Sequence, residues 1–258
     1  MSENCFHGWA GQSTDACAKV FAAMTKQTRT SVTRSVPAAA PELRIKQKRG
    51  QVTYDALIDT AFALLERKEF DEISIAELAQ KAGYSVGAFY ARFRSKDELF
   101  DAMVQQHLQN RRKKRLEQFT SVQDATLIHA LLEETVHYYW GRRRFWRAAL
   151  IRSIREPEFW TPIRALSHEF ADSLVARLAA RARRALTAPE QANVRFAVQL
   201  AFGTINNTIL NRPGPFFLEQ ELFVENLVRA FRLVSGYDDL VARRSARRRP
   251  PRRRDDRR

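Results

Sequence analysis

The 258 residues carry 44 Lys+Arg against 29 Asp+Glu, a formal net charge of +15, and 45% of them are hydrophobic, including 17 Phe. That length is enough for one large or two modest domains with a buried core, and the apolar content excludes a wholly disordered chain. No apolar run approaches the roughly 18 residues of a membrane span, so this is not an integral membrane protein. The basic excess points to a polyanion, nucleic acid or an acidic membrane surface, between which charge alone does not choose; with the motif below, no membrane partner is expected.

Cys5 and Cys17 both lie in the amino-terminal stretch, which leaves no disulfide framework and no thiolate zinc site for the body of the chain. His7, His107, His129, His137 and His168 form no metal-ligand spacing, so neither a metal nor another cofactor is expected. Reduced thiols and the lack of a secretory pattern at the start place the protein in the cytoplasm. Met24 offers an alternative start to Met1.

In chain order, residues 1–45 are rich in Ala, Ser and Thr, with Pro37 and Pro41 and no sustained period, and read as a disordered extension. From Thr53 a helical face emerges in Leu57, Ile58, Ala61, Phe62, Leu64 and Leu65. Ser74 and Glu77 form an S-x-x-E pattern that predicts a capping box, followed by Ile75, Leu78 and Ala79; Gly83 ends that helix. Ser85 caps a short third helix, and Ser95 with Glu98 predicts a second box opening a long one. The basic run Arg111–Arg115 reads as a solvated helix end whose cations complement the helix dipole. Long helices follow: one through Leu127 to Gly141, one over Arg142–Arg155, one from Thr161 to Leu186, one from Pro189 to Asn211, and a last from Leu218 to Ser235. Residues 241–258, with ten Arg against two Asp, read as a disordered tail. The fold class is all-α.

The informative unit is Ser74–Phe93. Two short helices joined by the tight turn Ala82-Gly83-Tyr84-Ser85 have the plan of a helix-turn-helix, whose second helix enters the major groove. Phe89 and Phe93 anchor that helix, leaving Ser85, Val86, Gly87, Ala88, Tyr90 and Ala91 facing out. Small outward residues let a helix backbone approach base edges, and Val86 and Ala88 suit thymine methyls.

The wording of Ile73–Phe100, with its A-G-x-S turn, G-x-x-Y-x-x-F helix and following S-K-x-x-L, resembles the TetR family of transcriptional regulators. The resemblance extends from Tyr54 into the long helix after Ser95. It implies a homodimer with an amino-terminal DNA-binding domain (46–110) and a helical effector and dimerisation domain (111–240). It also implies phosphate contacts from Ser74, Tyr90 and Lys96, and a basic arm at Lys46, Lys48 and Arg49. Val86 and Arg92 depart from the residues common at their positions, which leaves the bases read undetermined.

Aromatics concentrate between Tyr138 and Trp160. His129, His137, Trp140, Phe145, Trp146 and Trp160 are the candidate lining of a pocket for an apolar or aromatic small-molecule effector; a large aromatic core would use the same residues. Apolar stripes on the last two long helices supply a candidate dimer seam: Val198, Phe202, Gly203 and Asn206 on one, Leu227 and Phe231 on the other. No nucleophile elbow, P-loop, dinucleotide fingerprint or metal motif occurs, so no enzyme is expected. The expectation is a ligand-responsive repressor that binds a palindromic double-stranded DNA operator as a homodimer. A non-specific, architectural nucleic-acid binder driven by the basic tail is the alternative.

Overall fold

The computed structural model describes residues 41–242, with side chains from Gly50 onward. The chain divides into two units, Met1–Gln47 and Lys48–Arg258. Of the first, only the helical stretch from Pro41 is described.

Among the described residues there are ten α-helices and no strand. They are α1 (Pro41–Leu65), α2 (Ile75–Lys81), α3 (Val86–Tyr90), α4 (Lys96–Ser121), α5 (Asp124–Gly141), α6 (Arg143–Arg155), α7 (Thr161–Ala182), α8 (Ala188–Asn211), α9 (Glu221–Ser235) and α10 (Tyr237–Ala242). Short 3-10 turns at Phe70–Glu72 and Pro157–Trp160 precede α2 and α7.

The helix starts follow side-chain chemistry. Ser74, Ser85, Ser95 and Thr187 each accept a hydrogen bond from the amide three residues on, satisfying a donor the helix cannot pair internally. The two expected Ser–Glu boxes form only by half. The Glu77 carboxylate turns away to Lys68 at 2.8 Å and Lys81 at 3.3 Å, and Glu98 accepts from the Arg94 amide at 2.5 Å, one residue before the cap. A reciprocal box does form at Thr187 and Glu190, where Pro189 occupies the first turn.

Both ends of the chain's helical body depart from expectation. Residues 41–45, read as part of a disordered extension, belong to α1. Pro41 gives up only an amide that a first turn leaves unpaired, and Glu42, Leu43, Arg44 and Lys46 are strong helix formers, so propensity sets the start before any period is visible. At the other end Gly236 takes a left-handed φ of 62° and stops α9, but α10 then carries the chain back to the core. Tyr237 is buried and its hydroxyl donates to the Asp124 carbonyl at 2.5 Å. Val241 and Ala242, assigned to the tail, are therefore helical; residues 1–40 and 243–258 lie outside the described residues.

Helices α1–α3 pack around Leu57, Ile73, Leu78, Phe89 and Phe93, with the Tyr54 and Phe93 rings 5.0 Å apart. The larger body packs α8 against α7 and α9, with α9 also against α5. Phe145 of α6 joins the two parts of the core, its ring 5.3 Å from Phe62 of α1 and 5.2 Å from Phe100 of α4. Arg177 of α7 donates to the carbonyls of Phe119 and Val122 and to Asp124, closing the turn from α4 into α5. No helix among the described residues is long and apolar enough to cross a membrane.

Candidate functional site

The turn between α2 and α3 is built by Gly83, whose φ of +79° a side chain would strain, with the Tyr84 amide donating back to Ala79 at 2.9 Å. Phe89 is fully buried and Phe93 nearly so, which locks α3 onto the core through one face. The opposite face presents Ser85, Val86, Gly87, Tyr90 and Ala91 to solvent, with Ala88 half-buried. Tyr90 is 55% exposed, its ring edge-on to Phe89. The Ser85 oxygen accepts from the Ala88 amide at 3.1 Å, so its O–H remains available as a donor to an outside acceptor. Ser74 has the same arrangement with Glu77 at the start of α2. A Cβ built on Gly87 meets nothing nearer than the Ser85 hydroxyl at 3.7 Å, so the fold itself leaves room for a side chain there.

Two basic side chains are engaged within the fold. Lys96, expected at a phosphate, folds its ammonium inward over the Phe70 ring and donates to the carbonyls of Phe70 at 2.9 Å and Ile73 at 3.1 Å. The Phe70 carbonyl already accepts the turn's own bond from the Ile73 amide at 3.2 Å, and the ammonium adds a second donor to it and one to the Ile73 carbonyl just past the turn. Arg92 donates through Nε to the Gly50 carbonyl at 3.1 Å, tying the end of α3 to α1. Lys48 and Arg49, the candidate basic arm with Lys46, lie on α1 with side chains outside the described residues.

In the helical body the candidate lining disperses. His129 and His137 lie on the exposed side of α5, the former 3.5 Å from Glu133, because they fall between the core positions Ile128, Leu132 and Val136. Phe145 is core, half-buried Trp160 packs edge-on to Trp146, and Trp140 lines an open cleft of about 200 Å³ with Arg143, Arg147 and Arg212. Only Trp146 faces the inner cavity, a space of about 20 Å³ that it shares with His107, Arg111, Arg115, Ser167 and Phe202.

The polar part of that cavity is the side of α4 that carries the supposedly solvated basic run. Arg111 is buried and grips both oxygens of Glu134 at 2.5 Å. Arg115 lies 4.0 Å above the Phe170 ring and donates to Thr135 at 3.1 Å. The His107 Nδ1 lies 2.7 Å from the Tyr138 hydroxyl, and burial beside Arg111 and Arg142 pushes its pKa down to about 3. Residues 107, 111 and 115 are spaced by four and continue the inward stripe of Phe100, Met103, Val104 and Leu108. That continuation is the signal by which a reading of the sequence finds them.

The candidate dimer residues divide in the same way. Val198, Leu227 and Phe231 are buried by the chain's own core, and half-buried Phe202 packs on Tyr139 and Phe170. Asn206 is half-buried and Gly203 exposed. The apolar side chains that α8 and α9 leave uncovered are Phe196, Leu222 and Leu233.

A capped helix pair with an outward second helix, set before a larger helical body, defines the helix-turn-helix class of protein. Residues 57–103 match the model for the amino-terminal domain of bacterial regulatory proteins of the tetR family. A stretch of 52 residues is 38% identical to the HTH-type transcriptional regulator YwcC of Bacillus subtilis, covering 20% of this chain and 23% of that relative. A TetR-family transcriptional regulator from Mesorhizobium loti shares the fold with a TM-score of 0.58 at 18% identity, over 74% of this chain and 98% of its own. FadR of Bacillus subtilis, solved in complex with stearoyl-CoA, does so with a TM-score of 0.51 at 16% identity, over 71% and 98%. Residues 57–103 are thus a DNA-binding domain of the tetR type, and the helical body that follows shares its fold with solved regulators of that family.

Proposed function

We propose that this protein is a sequence-specific, DNA-binding transcriptional regulator, a ligand-responsive repressor that binds a palindromic operator as a homodimer. The observation that carries the reading is α3: two buried phenylalanines fix it, while Val86, Gly87 and Ala91 present an exposed, close-approach face beside Tyr90. Ser74 and Tyr90 flank that face as phosphate contacts, and Ser85 as a contact to a base edge or phosphate. FadR, with its bound stearoyl-CoA, supports an effector held in the helical body.

Helix α6 is suited to carry the effector's signal. Its Trp146 faces the cavity, Arg144 donates to the Glu66 carbonyl beyond α1, and Arg152 donates to Asp101 of α4 at 2.9 Å. A ligand that moves α6 thereby moves both α1 and α4, provided it binds the two states with different affinity.

Selection of bound sequences from random DNA by the purified full chain tests the reading. A regulator enriches one motif and favours it over random DNA by at least roughly 10³. Salt-sensitive binding with no preference would instead establish the architectural alternative.

A further inference from the structure

The cavity between α4, α6, α7 and α8 holds an imbalance of charge. Arg111 takes both oxygens of Glu134, and that leaves Arg115 without a carboxylate of its own. The Arg115 guanidinium spends Nη2 on the Thr135 hydroxyl, while its Nη1 is buried with no partner. Across the same cavity the Trp146 indole is fully buried, stacked on Tyr139 at 4.2 Å, and its Nε1 also lacks an acceptor. Buried donors are nearly always satisfied and buried charges are nearly always paired. Two unsatisfied donors, one of them cationic, carried by residues that line one space therefore ask for an acceptor that carries negative charge.

We propose that this cavity binds the carboxylate head of a small organic acid, with Arg115 as its counter-ion and Trp146 Nε1 as a second donor. This rests on the reading of the helical body as an effector domain and specifies the class of effector. The neutral alternative, a trapped water, accepts hydrogen bonds but leaves the Arg115 charge unpaired. Charge-assisted bonds from a guanidinium to a carboxylate are stronger than neutral ones, so an acid is favoured over its amide. The surroundings also fit an apolar body attached to the head: Ile163, Leu166, Phe170 and Phe202 complete the wall. The space of about 20 Å³ accepts one water-sized group as it stands. Half-buried Leu166, Ser167 and Phe202 are the side chains that yield to admit the rest.

The test is calorimetric titration of the full chain with octanoate and octanamide, and with benzoate and benzamide. Within each pair the body is the same and only the head differs, the amide losing the charge and exchanging one acceptor oxygen for an NH2 donor; the two bodies separate an aliphatic from an aromatic preference. At least one acid is expected to bind about tenfold or more tightly than its amide. In Arg115→Gln that advantage disappears while amide binding persists, which also shows that the variant is folded. Trp146→Phe keeps an aromatic ring, though a smaller one, and loses the donor, and it narrows the advantage if Arg115→Gln cannot be purified. Acid and amide binding equally, or an undiminished acid preference in the variants, would overturn the carboxylate site and leave the effector domain reading intact. Failure of every ligand to bind would overturn the site as well. The DNA selection described above contains no acid, so its outcome is independent of this one.

Discussion

His107 shows how a single buried side chain makes stability depend on pH. It is nearly inaccessible, hydrogen-bonded to Tyr138 and close to Arg111 and Arg142, so protonation would place a third cation in a desolvated space. Its folded pKa of about 3 lies below the ordinary 6.5, so the folded state prefers the neutral ring. The associated stability is complete above pH 6.5 and is lost as the pH falls from there towards 3. Urea denaturation at pH 7, 6 and 5 is expected to show stability declining below pH 6.5 with a slope approaching about 1.4 kcal/mol per unit. His107→Gln flattens that slope, whatever it does to stability at pH 7; parallel curves would acquit His107. Glu134 and Glu77, whose cationic partners hold their carboxyls low, contribute their own loss only further down, in the carboxylate range. None of this is legible from His107 as a letter in the chain. Taken by itself the basic run after His107 reads as a wet helix end; the sign that one side of it turns inward is its register with the apolar stripe of α4, which α5 and α7 cover.

At the scale of elements, α3 separates what the fold requires from what DNA requires. Gly87 has an ordinary φ and open space around its Cα, so Gly87→Ala is expected to raise stability by about 0.5–1 kcal/mol through helix propensity. The added methyl stands where the helix would meet base edges, so operator affinity is expected to fall by roughly tenfold, about 1.4 kcal/mol. Thermal denaturation and DNA titration on one preparation check both signs; a variant that binds as well as the parent would move the reading surface off Gly87. Tyr90→Phe in the same assay should leave stability unchanged and weaken binding to all sequences by about 0.5–1.5 kcal/mol, as befits a phosphate contact. Much of this element was readable beforehand. Serine caps, the left-handed Gly83 and the Phe89–Phe93 spacing are local signals, each set by chemistry within a few residues. The inward turn of Lys96 has no local signal, because its partners, the carbonyls of Phe70 and Ile73, lie more than twenty positions back in the chain. Glu77 forms no full box because Lys68, nine positions earlier, and Lys81, four positions later, take its carboxylate.

At the scale of the whole molecule, the apolar stripes of α8 and α9 mark the faces that the chain buries against itself. A periodic run such as Val194, Val198, Ala201 and Ile205 cannot announce whether its cover is the same chain or a second copy; here it is the same chain. The faces left over are what a partner can use. They carry Phe196, 54% exposed, with Gly203 and Asn207 on α8, and Leu222, 53% exposed, with Leu233, 76% exposed, on α9. Because α8 and α9 pack on each other, these uncovered faces are the surface on which the proposed homodimer would form. Substitutions at such exposed sites change monomer stability by roughly 0.5 kcal/mol or less, so any larger effect reports on assembly. Leu233→Glu, alone and with Phe196→Glu, is therefore expected to keep the helical content of the parent while shifting its mass in light scattering from dimer to monomer. Operator affinity should collapse with it, because a single α3 then binds one half-site without the gain of a linked second. A double variant that remains a dimer would place the interface away from α8 and α9. A monomer that still binds the full operator as tightly as the parent would show instead that the two reading helices act independently.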